Sequence, residues 1–169
     1  MLAVSRRTFV NVVTAAVVVP LVYAVTGRQF GARAATPKKF EVDLTPTQWK
    51  AKLSPAAFAV LRQEGTEPPF TSPLNDEHRA GVFACAGCAL PLFSSVTKFD
   101  SHTGWPSFYT PLSSALQTRD DGSLGFSRTE VHCRRCGGHL GHVFDDGPKP
   151  TGLRYCMNGV AMTFSIKYA

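Results

Sequence analysis

Short apolar runs, separated by glycine, proline, aspartate and serine, dominate the chain after Gly81. Runs of this length bounded by such residues are typical of β-strands. We predict four strands, over residues 82–85, 124–133, 153–158 and 160–166. No strand alternates with a long helical pattern, so a parallel sheet built from βαβ units is not expected. The pattern therefore predicts an antiparallel sheet.

Two short helices are predicted before the strands. Thr45-Pro46 and Ser54-Pro55 each offer a side-chain oxygen for the N-cap and a proline for the first helical position. The second helix should run from Pro55 to about Glu64, with Gly65 suited to end it. The fold class is therefore α+β: small N-terminal helices followed by a mainly antiparallel, barrel-like β-domain.

The basic charge of the chain is concentrated near its N-terminus. The formal net charge is +6, and residues 1–34 hold four arginines and no acidic residue. Residues 35–169 keep 14 basic and 12 acidic residues, a net charge of +2. Such a balanced body gives no reason to expect a nucleic-acid partner.

The N-terminal segment has the features of an export signal. Ser5-Arg-Arg-Thr-Phe9 is a twin-arginine pattern, and an apolar run follows it from Val12 to Val25. This run is shorter than the roughly 20 residues that a spanning helix needs, and Ala32-Arg-Ala34 offers a cleavage site. We predict a signal peptide over 1–34, a linker over 35–44 and a periplasmic protein. The alternative is an uncleaved membrane anchor, and no other membrane contact is expected.

Four of the five cysteines form two pairs, Cys85-x-x-Cys88 and Cys133-x-x-Cys136. Two residues between cysteines is the spacing of zinc knuckles, and four thiolates close a tetrahedral site to any substrate. We therefore predict one structural Zn²⁺. A disulfide framework is the competing interpretation, because an exported protein meets an oxidising compartment.

Cys156 is the one cysteine without a near partner. On the predicted strand, Arg154, Cys156 and Asn158 share one face. A thiol beside a cation and an amide suits a thiolate nucleophile, whereas the alternative is an inert core cysteine. Two histidines, His139 and His142, follow the second cysteine pair; they could be metal ligands, a general acid or structural residues.

Several motifs together resemble the methionine sulfoxide reductase B family, over residues 40–166. They are Glu67-Pro-Pro-Phe-Thr71, Gly104-Trp-Pro-Ser-Phe108, His139-Leu-Gly-His-Val-Phe144, Asp146-Gly-Pro148, Pro150-Thr-Gly152 and Arg154-Tyr-Cys-Met-Asn158, along with the two cysteine pairs. The resemblance implies an oxidoreductase that repairs oxidative damage. Residues 45–169 would form its catalytic domain.

The resemblance also implies roles for particular residues. Cys156 would attack the sulfur of a methionine R-sulfoxide, in oxidised proteins or as the free amino acid. His139, His142 and Asn158 would line the site, with one histidine protonating the departing oxygen, and Arg154 would favour the thiolate. Trp105 and Phe144 would bind the substrate, Trp105 through its methyl group.

The chain departs from one common form of this family at Thr103. Many members place a second, resolving cysteine at that position. The resemblance therefore implies that the Cys156 sulfenic acid is reduced from outside, by a thioredoxin-like protein or a small thiol.

Two other functions fit part of the sequence. A zinc-ribbon binding module would explain the cysteine pairs but leave Cys156 without a role. A zinc hydrolase or deaminase would use His139 and His142 together with cysteines, but the glutamate of a His-x-Glu signature is absent.

Overall fold

The computed structural model describes residues 40–122 and 127–166. The predicted export signal, residues 1–34, and the first part of the predicted linker lie outside the described residues. In the part of the chain that the structure describes, no helix combines the length and apolar character needed to cross a membrane.

Two short helices open the described part of the chain, as predicted: α1 (Pro46–Lys52) and α2 (Pro55–Gln63). The side chains of Thr45 and Ser54 accept hydrogen bonds from the backbone of the first turn of α1 and α2, at 3.3 and 3.2 Å. These caps satisfy backbone donors that a helix leaves free at its start. The left-handed residue that ends α2 is Glu64, with φ of 58°, rather than the adjacent glycine.

Within residues 40–122 and 127–166, nine strands follow the helices. They are β1 (Gly81–Cys85), β2 (Pro91–Ser94), β3 (Lys98–Phe99), β4 (Ser107–Phe108), β5 (Leu116–Asp121), β6 (Arg128–Cys133), β7 (His139–Phe144), β8 (Arg154–Met157) and β9 (Met162–Ile166). They form a three-stranded sheet in the order β2-β1-β9 and a six-stranded sheet in the order β3-β4-β8-β7-β6-β5. Every pairing is antiparallel, so the predicted fold class is confirmed.

The predicted strands correspond to β1, β6, β8 and β9, with two differences in their bounds. The residues Gly159–Ala161 form a short 3-10 helix, so β9 begins later than predicted. The strand predicted over 124–133 is β6, which begins at Arg128; residues 124–126 lie outside the described ranges. The sequence pattern missed β2 to β5 and β7.

The two sheets pack together through three buried phenylalanines. Phe108 of the larger sheet stacks on Phe93 of the smaller one, with ring centroids 4.2 Å apart. The ring of Phe83, in β1, contacts the Phe108 ring edge-on, and their centroids are 4.9 Å apart. All three side chains are fully buried, and paired aromatic rings add to the free energy that their burial contributes. This aromatic cluster fixes the six-stranded sheet against the smaller one.

Gly141 lies at a close approach between β7 and β8. A Cβ atom at this position would lie 2.1 Å from the carbonyl oxygen of Cys156, a backbone atom that cannot move freely. The strand that carries His142 can therefore pair with the strand of Cys156 only because residue 141 has no side chain.

We expect Gly141→Ala to destabilise the fold by about 1–3 kcal/mol, the usual cost of overpacking. Urea unfolding followed by circular dichroism measures this change. The matched control is Gly122→Ala, because no atom of the described residues lies within 4 Å of a Cβ atom at residue 122. Equal unfolding midpoints for the two variants would contradict the account of this crossing.

Candidate functional site

One row of side chains crosses five strands of the larger sheet and contains the lone cysteine. In the register of the sheet, Cys156 is opposite His142 on one side and Ser107 on the other. His142 is opposite Glu130, and Glu130 is opposite Arg119. Antiparallel pairing thus brings together residues that lie up to 49 positions apart in the sequence.

A cavity of about 130 Å³ opens at this row. The residues that line it come from the arm after α2, from the segment before β4, from strands β6, β7 and β8, and from the position after β8. They are Thr66, Trp105, Arg128, Gly141, His142, Phe144, Cys156 and Asn158. A thiol, an imidazole and two aromatic faces therefore share one small space.

The thiol of Cys156 lies partly buried at the base of this arrangement. Burial raises its pKa above the ordinary value of a thiol, because a thiolate loses solvation there. A hydrogen bond with Thr103, with 3.9 Å between Oγ1 and Sγ, and the charge of Arg154 both act in the opposite direction. Burial has the larger effect, so the net pKa of Cys156 is above the ordinary value of a thiol.

Arg154 is held by two other groups. Its guanidinium donates to both carboxylate oxygens of Asp146, at 2.8 and 2.7 Å, and lies 4.4 Å from the centroid of the Phe144 ring. The hydrogen bonds with Asp146 raise the pKa of Arg154, and the same bonds from the guanidinium lower the pKa of Asp146. Arg154 is thus a permanent, immobilised cation two residues from the thiol on the same strand.

The two histidines lie at different depths. His142 lines the cavity with Cys156, and its Nε2 is 2.8 Å from a carboxylate oxygen of Asp121. His139 is almost fully buried and lines a neighbouring polar cavity of about 630 Å³ instead. The ring centroids are 5.5 Å apart, and Nδ1 of His139 is 2.7 Å from Glu130. Of the two, His142 is therefore the histidine placed beside the thiol.

The electrostatics of His142 favour a neutral ring. Burial lowers the pKa of His142, and the nearby Arg128 lowers it further, while the hydrogen bond with Asp121 raises it. The net pKa is below the ordinary value of histidine. A protonated His142 is consequently a stronger acid than free imidazole.

Asn158 and Glu67 tie the arm after α2 to the end of β8. The Asn158 amide donates to Leu140 at 3.0 Å and accepts from the Glu67 backbone at 2.9 Å. The Glu67 carboxylate accepts from the backbone of Gly159 and Val160, at 2.5 and 3.0 Å. Asn158 is thus occupied by backbone groups, and its amide holds the wall of the cavity in place.

The same arm orients the tryptophan of the cavity. The indole N–H of Trp105 donates to the backbone carbonyl of Glu67 at 3.0 Å. The ring is therefore fixed edge-first to the arm and presents its remaining surface to the cavity.

Sequence reasoning gave no role to five polar residues that surround the histidines and the tryptophan. They are Thr66, Glu67, Asp121, Arg128 and Glu130. Glu67 belongs to a motif that supported the family resemblance, so a signal for it existed. Asp121 lies on β5, a strand whose polar sequence gave no apolar alternation to detect.

The remaining four cysteines form one cluster, at the end of β1 and at the turn between β6 and β7. All four sulfur atoms lie within 4.8 Å of one another, and two of the distances are 3.5 and 3.7 Å. Tetrahedral thiolate ligands about 2.3 Å from a zinc ion would be about 3.8 Å apart. The cluster Cys85, Cys88, Cys133 and Cys136 therefore fits a metal ion, and neither His139 nor His142 belongs to it.

Arg62 of α2 contacts this cluster from the helical side. Its guanidinium donates to the carbonyl oxygen of Cys136 at 3.0 Å and lies 3.2 Å from the sulfur of the same residue. It also lies 4.0 Å from the centroid of the Trp49 ring. A cation beside four thiolates offsets part of their negative charge.

Comparison with known proteins identifies the family. A sequence profile of the SelR domain matches residues 53–166. The chain is 55% identical over 126 residues to a peptide methionine sulfoxide reductase MsrB of Pseudomonas putida, covering 73% of this chain and 94% of the relative. Proteins of the same name from Thiobacillus denitrificans and Methanosarcina barkeri are 53% and 52% identical, over 73% and 75% of this chain and 94% and 89% of those proteins.

These matches span all nine strands, the cysteine cluster and the residues that line the cavity. The chain belongs to the peptide methionine sulfoxide reductase B family.

Proposed function

We propose that this protein reduces the R epimer of methionine sulfoxide, in oxidised proteins or as the free amino acid, and so repairs oxidative damage. One observation carries the proposal. The single cysteine outside the metal-binding cluster shares a small cavity with Trp105, His142 and Phe144. Membership of the family supports the choice of the R epimer.

The reaction that this cavity supports is an oxygen transfer between two sulfur atoms. The Cys156 thiolate attacks the sulfoxide sulfur, a proton reaches the sulfoxide oxygen, and that oxygen ends on the cysteine. The products are methionine and a Cys156 sulfenic acid, so the cysteine is oxidised by the two electrons that the sulfoxide gains.

His142 is the group that supplies the proton in this proposal. Sulfoxide oxygen leaves poorly unless it is protonated, and His142 is the histidine that lines the cavity. The apolar faces of Trp105 and Phe144 provide the surface against which the methyl group packs. Arg154 offsets part of the cost of burying the thiolate.

The sulfenic acid is then removed by a thiol from outside the chain. A thioredoxin-like protein or a small thiol attacks Cys156, water leaves, and a second thiol releases the mixed disulfide. Thr103 occupies the position beside Cys156 that would suit an internal resolving thiol, and threonine cannot form a disulfide.

The metal of the cysteine cluster is zinc in this proposal. Four cysteine thiolates are the typical donor set of structural zinc, and they leave no coordination position for substrate. Zinc would hold the two knuckles together and take no part in the chemistry.

The protein is further proposed to reach the periplasm through the twin-arginine route, with cleavage after Ala34.

We expect Cys156→Ser to abolish reduction of the R epimer while leaving the fold and metal content unchanged. The reason is that serine lacks the thiolate nucleophile that the reaction requires. Chromatography that separates the two epimers of a methionine sulfoxide peptide measures the loss. If the variant keeps more than about a few per cent of the wild-type rate, Cys156 is not the nucleophile.

Wild-type protein is the control for the function itself. If it consumes neither epimer, with dithiothreitol as reductant, the proposal of a reductase fails and a binding module becomes the better interpretation.

Removal of one metal ligand should be far more disruptive than removal of Cys156. Metal binding in small zinc sites contributes about 10–16 kcal/mol, whereas a whole domain is stable by only about 5–15 kcal/mol. We therefore expect Cys85→Ser to give protease-sensitive or insoluble protein. Elemental analysis of the wild type should find one zinc per chain. A Cys85→Ser variant that is soluble, active and metal-free would contradict the expected instability, and a metal-free wild type would contradict the expected zinc.

Thr103→Cys should create an internal resolving thiol. The Thr103 hydroxyl oxygen and the Cys156 sulfur are 3.9 Å apart, so a short movement allows a disulfide. Intact mass after one equivalent of R-sulfoxide, without reductant, should show a gain of one oxygen in the wild type and a loss of two hydrogens in the variant. A loss of two hydrogens in the wild type would mean that a metal-binding cysteine resolves the intermediate.

Replacing Arg6 and Arg7 together by lysine should retain the protein in the cytoplasm, because the twin-arginine route depends on that pair. Cell fractionation and N-terminal sequencing of the exported protein provide the test. Unchanged export of the variant would refute the route, and an intact N-terminus on exported wild type would favour the uncleaved anchor.

A further inference from the structure

Two carboxylates, Glu130 in the row that contains Cys156 and Asp121 beside that row, each hold one histidine and one arginine. Glu130 binds His139 through one oxygen and Arg119 through the other. One oxygen of Asp121 lies 2.8 Å from His142 and 2.7 Å from Arg128. The same arrangement of carboxylate, histidine and arginine thus occurs twice, with both carboxylates and both arginines on β5 and β6.

The repetition follows from the register of these strands. Arg119 is directly opposite Glu130, and Asp121 is directly opposite Arg128, so each ion pair is a cross-strand pair. Glu130 is nearly fully buried, and Arg119 also binds Glu64 at the end of α2. A buried carboxylate persists as an anion only if it is paired and hydrogen-bonded, which the arginines ensure.

The ionised state of these carboxylates determines which ring nitrogen carries a proton. Hydrogen bonds from His139 and Arg119 hold the pKa of Glu130 below its usual value, although burial acts to raise it. An ionised carboxylate can only accept hydrogen bonds. The histidine nitrogen that faces each carboxylate must therefore be protonated, even when the ring is neutral.

The two pairs use different ring nitrogens. Glu130 faces Nδ1 of His139, whereas Asp121 faces Nε2 of His142. The remaining nitrogen of His139, Nε2, is buried and has no hydrogen-bond partner among the described residues. The atom of His142 that stays available for proton transfer is Nδ1.

We propose that Asp121 and Glu130 are positioning residues that fix the two histidines in opposite tautomers. Asp121 keeps a proton on Nε2 of His142, so the lone pair of the neutral ring is on Nδ1. This atom takes up the proton that the Cys156 thiol releases and passes it to the sulfoxide oxygen in the cavity. Glu130 keeps a proton on Nδ1 of His139, which fixes the ring that packs edge-on against His142. The consequence for proton transfer depends on the proposed function, but the tautomers do not.

The direct test is the tautomeric state of each ring. Long-range proton–nitrogen NMR spectra of the whole chain, labelled with ¹⁵N-histidine and loaded with zinc, distinguish the two nitrogens at about pH 8, where histidine is neutral. We expect the Nδ1–H form for His139 and the Nε2–H form for His142. The opposite tautomer at either ring in the wild type would overturn the proposal for that ring.

Variants separate positioning from a general structural role. Asp121→Asn keeps the shape of the side chain, but its amide can donate as well as accept, so His142 should lose its single tautomer while His139 keeps its own. Glu130→Gln should do the reverse. The matched control is Glu64→Gln, which alters the outer partner of Arg119 and should change neither ring.

Single-turnover reduction of R-sulfoxide connects the tautomer with the chemistry. We expect Asp121→Asn to slow this step by about 10–100-fold, the range found for groups that orient a reacting side chain. An unchanged tautomer together with an unchanged rate would overturn the role of Asp121. If Glu130→Gln does not fold, the wild-type spectrum still decides the proposal for His139.

Failure of the proposed function is distinguishable from failure of this inference. A protein that reduces no sulfoxide but shows the two expected tautomers would refute the reductase and keep the positioning role. A reductase with mixed tautomers would do the opposite.

Discussion

The cluster of four cysteine thiols is the constraint on which the rest of the structure depends. It joins the end of β1 in the smaller sheet to the turn between β6 and β7 in the larger one. His139 begins β7 directly after that turn. A tetrahedral metal site tolerates little variation in distance, so it fixes where β7 starts. Where β7 begins in turn determines the position of the row that contains Glu130, His142 and Cys156.

The register of the larger sheet brings together side chains that are far apart in the sequence. It aligns a thiol, a histidine, a carboxylate and an arginine across four strands, although they come from four separate stretches of chain. The close approach of β7 and β8 at Gly141 allows this alignment. The chemistry of the cavity is therefore a property of the pairing, more than of any single motif.

Part of this arrangement was predictable from the sequence, and the reasons are physical. Helix caps at Thr45 and Ser54 and the apolar alternation around Cys156 depend on neighbouring residues, so the helices and β8 were predicted. The strands β3 and β4 have two residues each, and β5 is largely polar, so periodicity could not reveal them. The partners of the histidines lie on β5 and β6, and they became visible only with the register.

The electrostatics of the cavity differ from what the sequence suggested. Arg154 was expected to favour the thiolate, and its charge does lower the pKa of Cys156, but burial acts more strongly. Part of the arginine's hydrogen-bonding capacity is taken by Asp146. Burial therefore favours the thiol over the thiolate at Cys156 in the free enzyme.

The central claim is that the five cysteines divide into four that bind metal and one that does chemistry. Alkylation of the native, metal-loaded protein with iodoacetamide, followed by peptide mass mapping, tests this division most directly. The account predicts labelling of Cys156 alone, and loss of that label after one equivalent of R-sulfoxide but not of S-sulfoxide. Labelling of any of the other four cysteines, or a Cys156 label that the R-sulfoxide leaves unchanged, would contradict it.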